Sequence, residues 1–292
     1  MAKDIKKRRH KKLRLNRSAG GNITIDIFLT VIGIFMFLPM VYAVSNSIKP
    51  LSELWIYPPK FFAQNPTLSN FTDLFTLMGD SWVPFSRYIG NTVFIAVVGT
   101  GGHVLLSSLC AYALAKHDFP GREFIFKTIV LSLMFSGAVT SVPNYLIMSK
   151  LRMVNTYWAL ILPAFCSSLG LYLMKQFMET NIPDALIESA HIDGAGEWKI
   201  FWKIVMPLVK PAWLTLIVFV FQGLWGMGAN SLIQSEQLKT LNYALSMIAA
   251  GGIARTGTAA AAAVVMMAVP IAVFVITQSN IVETVASSGM KD

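Results

Sequence analysis

The sequence predicts an all-α polytopic membrane protein with six transmembrane helices. Of its 292 residues, 54% are apolar and only 13% charged, and the mean hydropathy of +0.57 is far from that of a soluble domain. Six stretches reach the ~20 apolar residues needed to cross the hydrocarbon core: residues 25–48, 89–115, 124–148, 157–178, 211–233 and 259–282. Each is continuously apolar rather than alternating. That pattern selects helices over barrel strands, because a helix satisfies its own backbone hydrogen bonds in lipid.

The first stretch follows a basic tail, "MAKDIKKRRHKKLRLNR", which holds nine of the 24 Lys and Arg residues. With the N-terminus inside, 17 basic residues fall on inner segments and seven on outer ones. The positive-inside rule then places both termini in the cytoplasm. The tail reads as an orientation signal, with no nucleic acid as partner. The first span is too long for the apolar part of a cleavable signal and lacks a small-residue cleavage site after it, so it is expected to remain as an anchor. Three segments result: a basic cytoplasmic tail at 1–24, a six-helix domain at 25–282 and a cytoplasmic C-terminal tail at 283–292.

Between the first and second spans lies a long outer loop, residues 49–87, in which Pro50, Pro58, Pro59 and Pro66 break any long helix. Its aromatic residues suit the membrane interface. Pro120 and Gly121 of "KHDFPGR" supply the inner turn from the second span to the third. The third to sixth spans carry breaks and polar groups: Pro143 with Asn144 and Tyr145, Pro163 and Gly170, Gln222 to Asn230, and Pro270. Such features are tolerated at membrane depth where they face protein or water. The alanine run 259–263 reads as a close-packing surface. Cys110 and Cys166 fit no metal spacing and are expected to be inert buried thiols.

Several function classes lose support. No Asp or Glu lies well inside a span, whereas ion- or proton-coupled carriers reserve intramembrane charge for that work. His103 reads as a hydrogen-bonded core residue. "GTGGH", residues 99–103, has no preceding strand, and no phosphate-binding G-x-x-x-x-G-K-[ST] loop occurs, so the chain is expected to bind no cofactor and to hydrolyse no ATP by itself. No catalytic triad or metalloprotease motif is present.

Residues 179–207 form the remaining feature. Pro183 and Asp184 suit a helix start, Gly194 a left-handed stop, and a second short helix is expected from Gly196 with Trp198, Phe201, Trp202 and Val205 as its apolar stripe. Two such helices need a membrane core or a protein groove to cover them.

The stretch "ESAHIDGAGEWKIFWKIVMP", residues 188–207, resembles the E-A-A-x-x-D-G-A motif of inner-membrane permease subunits of binding-protein-dependent ABC importers. Glu188, Ala190, Asp193, Gly194, Ala195, Phe201, Ile204 and Pro207 are in register, with Ser189 in place of Ala and Met206 in place of Leu. "YIGNTVFIA", "AYALAKHDFPGR" and "PLVKPAWLTLIVFVFQGLW" extend the resemblance to the carbohydrate branch, similar to the smaller maltose-type permease subunit. Gly226, Met227 and Gly228 after Trp225 depart from the family's usual Asn and acidic residue, and the tail ends in Met290, Lys291 and Asp292.

The resemblance implies the type I importer permease fold in a bacterial cytoplasmic (inner) membrane. It implies a coupling helix, with Glu188, Ser189, Ala190, Asp193, Gly194 and Ala195, docked on a separate ATPase subunit. The implied partners are a second permease subunit, two ATPase subunits using ATP and Mg, an extracytoplasmic solute-binding protein, membrane lipid and a sugar, expected to be an oligosaccharide. Asn144, Tyr145, Gln222, Trp225 and Asn230 suit a sugar path through stacking and hydrogen bonding. An ATP-independent channel or facilitator and a non-transporting scaffold are the alternatives.

Overall fold

The computed structural model describes residues 19–79, 82–228 and 232–288. Along the chain run α1 (Ala19–Ser47), α2 (Leu51–Leu54), α3 (Ser69–Gly79), α4 (Phe85–Lys116), α5 (Arg122–Ser132) and α6 (Gly137–Lys150). They are followed by α7 (Trp158–Phe165), α8 (Ser168–Asn181), α9 (Asp184–Ile192), α10 (Glu197–Ile200), a π-helical turn (Phe201–Val205) and α11 (Met206–Leu208). The last elements are α12 (Lys210–Trp225), α13 (Leu241–Ala249) and α14 (Thr256–Ser288), and no strand occurs among the described residues.

Four uninterrupted segments are long and apolar enough to cross a membrane: Ile23–Ser47, Phe85–Lys116, Trp158–Asn181 and Thr256–Gln278. Counting each of two bent pairs as one span brings the number to six among the described residues. The third expected span is one of them: α5 and α6, of 11 and 14 residues, meet at 113°. Either is too short to cross alone. The extended backbone of Ser136, φ −73° and ψ 151°, ends one helical course and starts another, which apolarity along the chain did not reveal. The fifth span is entered through a 77° bend before α12 and stops at Trp225, short of the expected residue 233. The stretch left between the fifth and sixth expected spans, residues 234–258, carries α13. At the sixth span, α14 runs through Pro270 and on to Ser288.

The central element is α4, which packs against α7, α8 and α12. Small residues let these helices approach closely. A Cβ on Gly170 of α8 would sit 2.0 Å from Nε2 of His103, and one on Gly102 would sit 2.2 Å from the Phe165 ring. His103 is fully buried, with Ser107 Oγ 3.3 Å from its Nε2, as expected of a core histidine.

Two apolar cores form along α4. Ile95, Leu160, Trp225, Leu241 and Ala261 belong to one, and Tyr112, Met174, Met178, Phe201 and Val205 to the other. At the first end, Asn91 Nδ2 donates to the carbonyls of Gln237 and Lys239, and the Tyr157 hydroxyl donates to Asn91 Oδ1. The 48–84 connection is ordered by buried polar groups: Glu53 accepts from the amides of Gln64 and Asn65, and Asn70 donates to the carbonyls of Ser47 and Lys49. Several of its aromatic residues point outward, with Tyr57 92% exposed and Trp82 86% exposed, while Phe71 packs on the apolar core.

Cys110 and Cys166 are exposed on the helix surface, correcting the expectation that they are buried. A span's lipid-facing side is as apolar as its core, so composition does not separate the two locations. The face of α1 bearing Phe28, Val31, Phe35 and Met36 is likewise uncovered in this chain.

Gly170→Ala must push against a fully buried ring, so it is expected to destabilise the bundle by about 1–3 kcal/mol. Gly90→Ala, which meets nothing within 4 Å, is expected to be neutral or slightly stabilising. Thermal unfolding of both variants in detergent checks this.

Candidate functional site

The helix-turn-helix of residues 183–208 is built as expected at its first half. Pro183 precedes α9 with extended backbone, and Asp184 lies in the first turn, where a carboxylate favours the positive helix end. The close of α9 is a Schellman motif. The Ala195 amide donates to the Ala190 carbonyl at 3.0 Å and the Gly194 amide to the His191 carbonyl at 2.9 Å, with Gly194 at φ +75°. Ala190 is buried and Ala195 packs into the same core.

The motif thus divides into two sets of residues. Ala190, Gly194 and Ala195 make the turn. Glu188, Ser189 and Asp193 are exposed, and among the described residues neither acid forms an ion pair within the chain. The Ser189 hydroxyl donates back to the Leu186 carbonyl at 2.9 Å. The outward surface also carries Ile192, 86% exposed.

The second half differs from expectation. Ile200, Phe201 and Val205 form the buried face, whereas Trp198 and Trp202 are 68% and 49% exposed. A π-helical turn advances less per residue than an α-helix, so the apolar face rotates away from the tryptophans.

The end of α4 grips both short helices. Lys116 Nζ, on a side chain only 4% exposed, donates to the Ile182 carbonyl at 2.5 Å and to Asp184 Oδ1 at 2.7 Å. The Tyr112 hydroxyl donates to Glu197 Oε2 at 2.8 Å. His117 and His191 approach the same carboxylate, Nε2 to Oε2 at 3.4 Å and Nε2 to Oε1 at 3.2 Å.

The residues chosen for a sugar path divide between two places. Gln222 and Trp225 line a cleft of about 460 Å³ with Asn242, Ser246, Ala259, Ala262 and Met266. Trp225 is 5% exposed there, stacks on Phe221 and donates its indole N–H to the Met266 carbonyl at 3.0 Å. Asn144 and Tyr145 lie on α6 and do not line this cleft. Asn230 lies outside the described residues.

Residues 19–286 match the family described as binding-protein-dependent transport system inner membrane component. The chain belongs to this family. It is 35% identical over 212 residues to Protein LplC of Bacillus subtilis (strain 168), covering 71% of this chain and 68% of that protein. It is 32% identical over 229 residues to the arabinooligosaccharides transport system permease protein AraQ of Halalkalibacterium halodurans, covering 76% and 78%. A chain in the crystal structure of a bacterial ABC transporter involved in the import of the acidic polysaccharide alginate superposes with a TM-score of 0.75, over 91% of this chain and 99% of that one, at 22% identity. That last likeness establishes a shared fold.

In this permease, sequence reasoning missed Tyr112 with His117 and His191 with Glu197, two pairs that are far apart along the chain and meet only when α4 reaches the helix-turn-helix. Their residue types carried no spacing signal. Asn242 and Ser246 of the cleft were missed because their connection read as a loop.

Gly194→Ala places a side chain at φ +75°, which costs about 1–2 kcal/mol. Hydrogen exchange at the Gly194 and Ala195 amides is expected to accelerate while exchange in α4 stays unchanged.

Proposed function

We propose that this permease subunit carries an oligosaccharide across the cytoplasmic membrane by alternating access, driven through α9 by a separate ATPase. The observation that carries the coupling role is the division of its motif: the buried half forms a Schellman turn and the exposed half leaves Glu188 and Asp193 without an ion pair among the described residues. An unpaired carboxylate beside exposed Ile192 suits a partner cleft that offers a cation and apolar walls. Glu188 then makes the charged contact, Ser189 and Asp193 flank it, and Ala190, Gly194 and Ala195 set the angle of the helix.

In this reading the partners are a second permease subunit, two ATPase subunits that hold ATP and Mg, and an extracytoplasmic solute-binding protein. The uncovered face of α1 and the weakly packed α5 and α6 are left for the second permease and for lipid. Both termini lie in the cytoplasm, following the distribution of basic residues. The arabinooligosaccharide system of the relative supports a sugar, and the Gln222, Asn242 and Ser246 cleft beside α14 offers hydrogen-bonding groups along an otherwise apolar wall.

A hydrogen bond to a charged group is worth roughly 1.5–3 kcal/mol. Glu188→Ala is therefore expected to lower ATP-driven uptake of labelled arabinooligosaccharides into vesicles by at least about tenfold, with the four-subunit complex still assembled. Unchanged uptake in this variant, in a complex that transports, would exclude α9 as the power connection.

A further inference from the structure

The carboxylate of Glu197 is unusual in how many elements converge on it. Tyr112 comes from near the end of α4, His117 directly follows α4, His191 comes from the last turn of α9, and Glu197 itself opens α10. The two imidazoles address different oxygens, and the Tyr112 hydroxyl shares Oε2 with His117. The Tyr112 ring meets His117 edge-on at 5.1 Å and Phe201 at 5.5 Å, so the same tyrosine also seats the π-helical turn. Of the charges around this cluster, Lys116 pairs with Asp184 and Arg122 with Asp118 and Glu179, whereas Glu188 and Asp193 on the His191 side face outward without an ion pair among the described residues.

Resting on the coupling reading of α9, we propose that Glu197 is a positioning residue. It latches α9 and α10 to the end of α4, and protonation of His117 and His191 sets how tightly the latch holds. Without it, Lys116 still holds the start of α9, but Gly194 leaves a hinge at its other end, and part of a push on α9 is absorbed there. With it, the push reaches α4, the helix on which α7, α8 and α12 pack. Both imidazoles stand within ion-pair distance of the carboxylate, so protonated rings attract it by charge and neutral rings do not. The latch therefore holds more tightly when the imidazoles carry a proton and relaxes when they are neutral.

The test uses the full chain in nanodiscs, with amide exchange protection over residues 184–205 measured at pH 6 and pH 8 and corrected for intrinsic rates. Wild type is expected to lose about fivefold in protection between the two, a range set by partly exposed ion pairs acting together. Glu197→Gln is expected to show the lower value at both pH values. The double variant His117→Gln and His191→Gln puts neutral polar groups in place of both imidazoles, so it is expected to match wild type at pH 8 and to lose the pH response. Wild-type protection and pH response in Glu197→Gln overturns the latch. If Glu197→Gln does not assemble, the histidine double variant decides alone: a retained pH response overturns the proposal.

In the assembled transporter, ATP hydrolysed per labelled oligosaccharide moved is expected to rise several-fold in Glu197→Gln. An unchanged ratio, alongside a Glu188→Ala variant that is uncoupled, overturns the positioning role and leaves the coupling role of α9 standing. Tight coupling in Glu188→Ala instead removes the coupling reading, and the latch then stands or falls on exchange.

Discussion

The close approach of α4 to its neighbours is the constraint on which the remaining structure depends. At Gly102 and Gly170 there is no room for a Cβ, because the Phe165 and His103 rings occupy that space. In lipid no hydrophobic force drives helices together, so tight contact of this kind supplies the association. It makes α4 a rigid axis with an apolar core near each end. One end seats the 232–255 connection through Tyr88, Asn91 and Thr92, and the other seats the helix-turn-helix through Tyr112 and Lys116.

Both ends use charge within protein rather than within lipid. Glu236 accepts from Tyr88 at one end and pairs with Lys239. Burial opposes charge on Lys239, but its bonds to Glu236 and Tyr243 outweigh that cost and hold the ammonium above the ordinary lysine range. Lys116 and Glu197 do the equivalent work at the other end. Polar groups at both ends therefore orient the connections, while the apolar middle of α4 orients the helices. The helix-turn-helix is small, but its position is determined by the same element that determines the bundle.

This arrangement gives the family motif a physical meaning. The spacing from Ala190 to Gly194 and Ala195 is that of a Schellman close, in which the first residue offers a carbonyl, the glycine takes the left-handed position and the last residue donates back across five positions. Glu188 and Asp193 face outward because Ile187 and Ala190 face inward. One short segment thus carries its own fold and its exposed chemistry on alternate faces of nine residues.

The sequence by itself determined the all-α membrane class, the approximate places of six spans and the turn at Gly194, because each depends on local composition or on one residue's backbone freedom. It also contained the family motif of residues 188–195 as a contiguous string. It did not show the 113° break between α5 and α6, the helix α13, the exposure of both cysteines or the outward turn of Trp198 and Trp202. Hydropathy is the same on lipid-facing and buried surfaces, and periodicity assumes an α-helix where a π-helical turn occurs. The meeting of Tyr112, His117, His191 and Glu197 was decided only by tertiary structure, since it requires α4 to end where α9 and α10 begin in space. Contacts across 85 residues of chain, as between Tyr112 and Glu197, are set by packing and have no local signature.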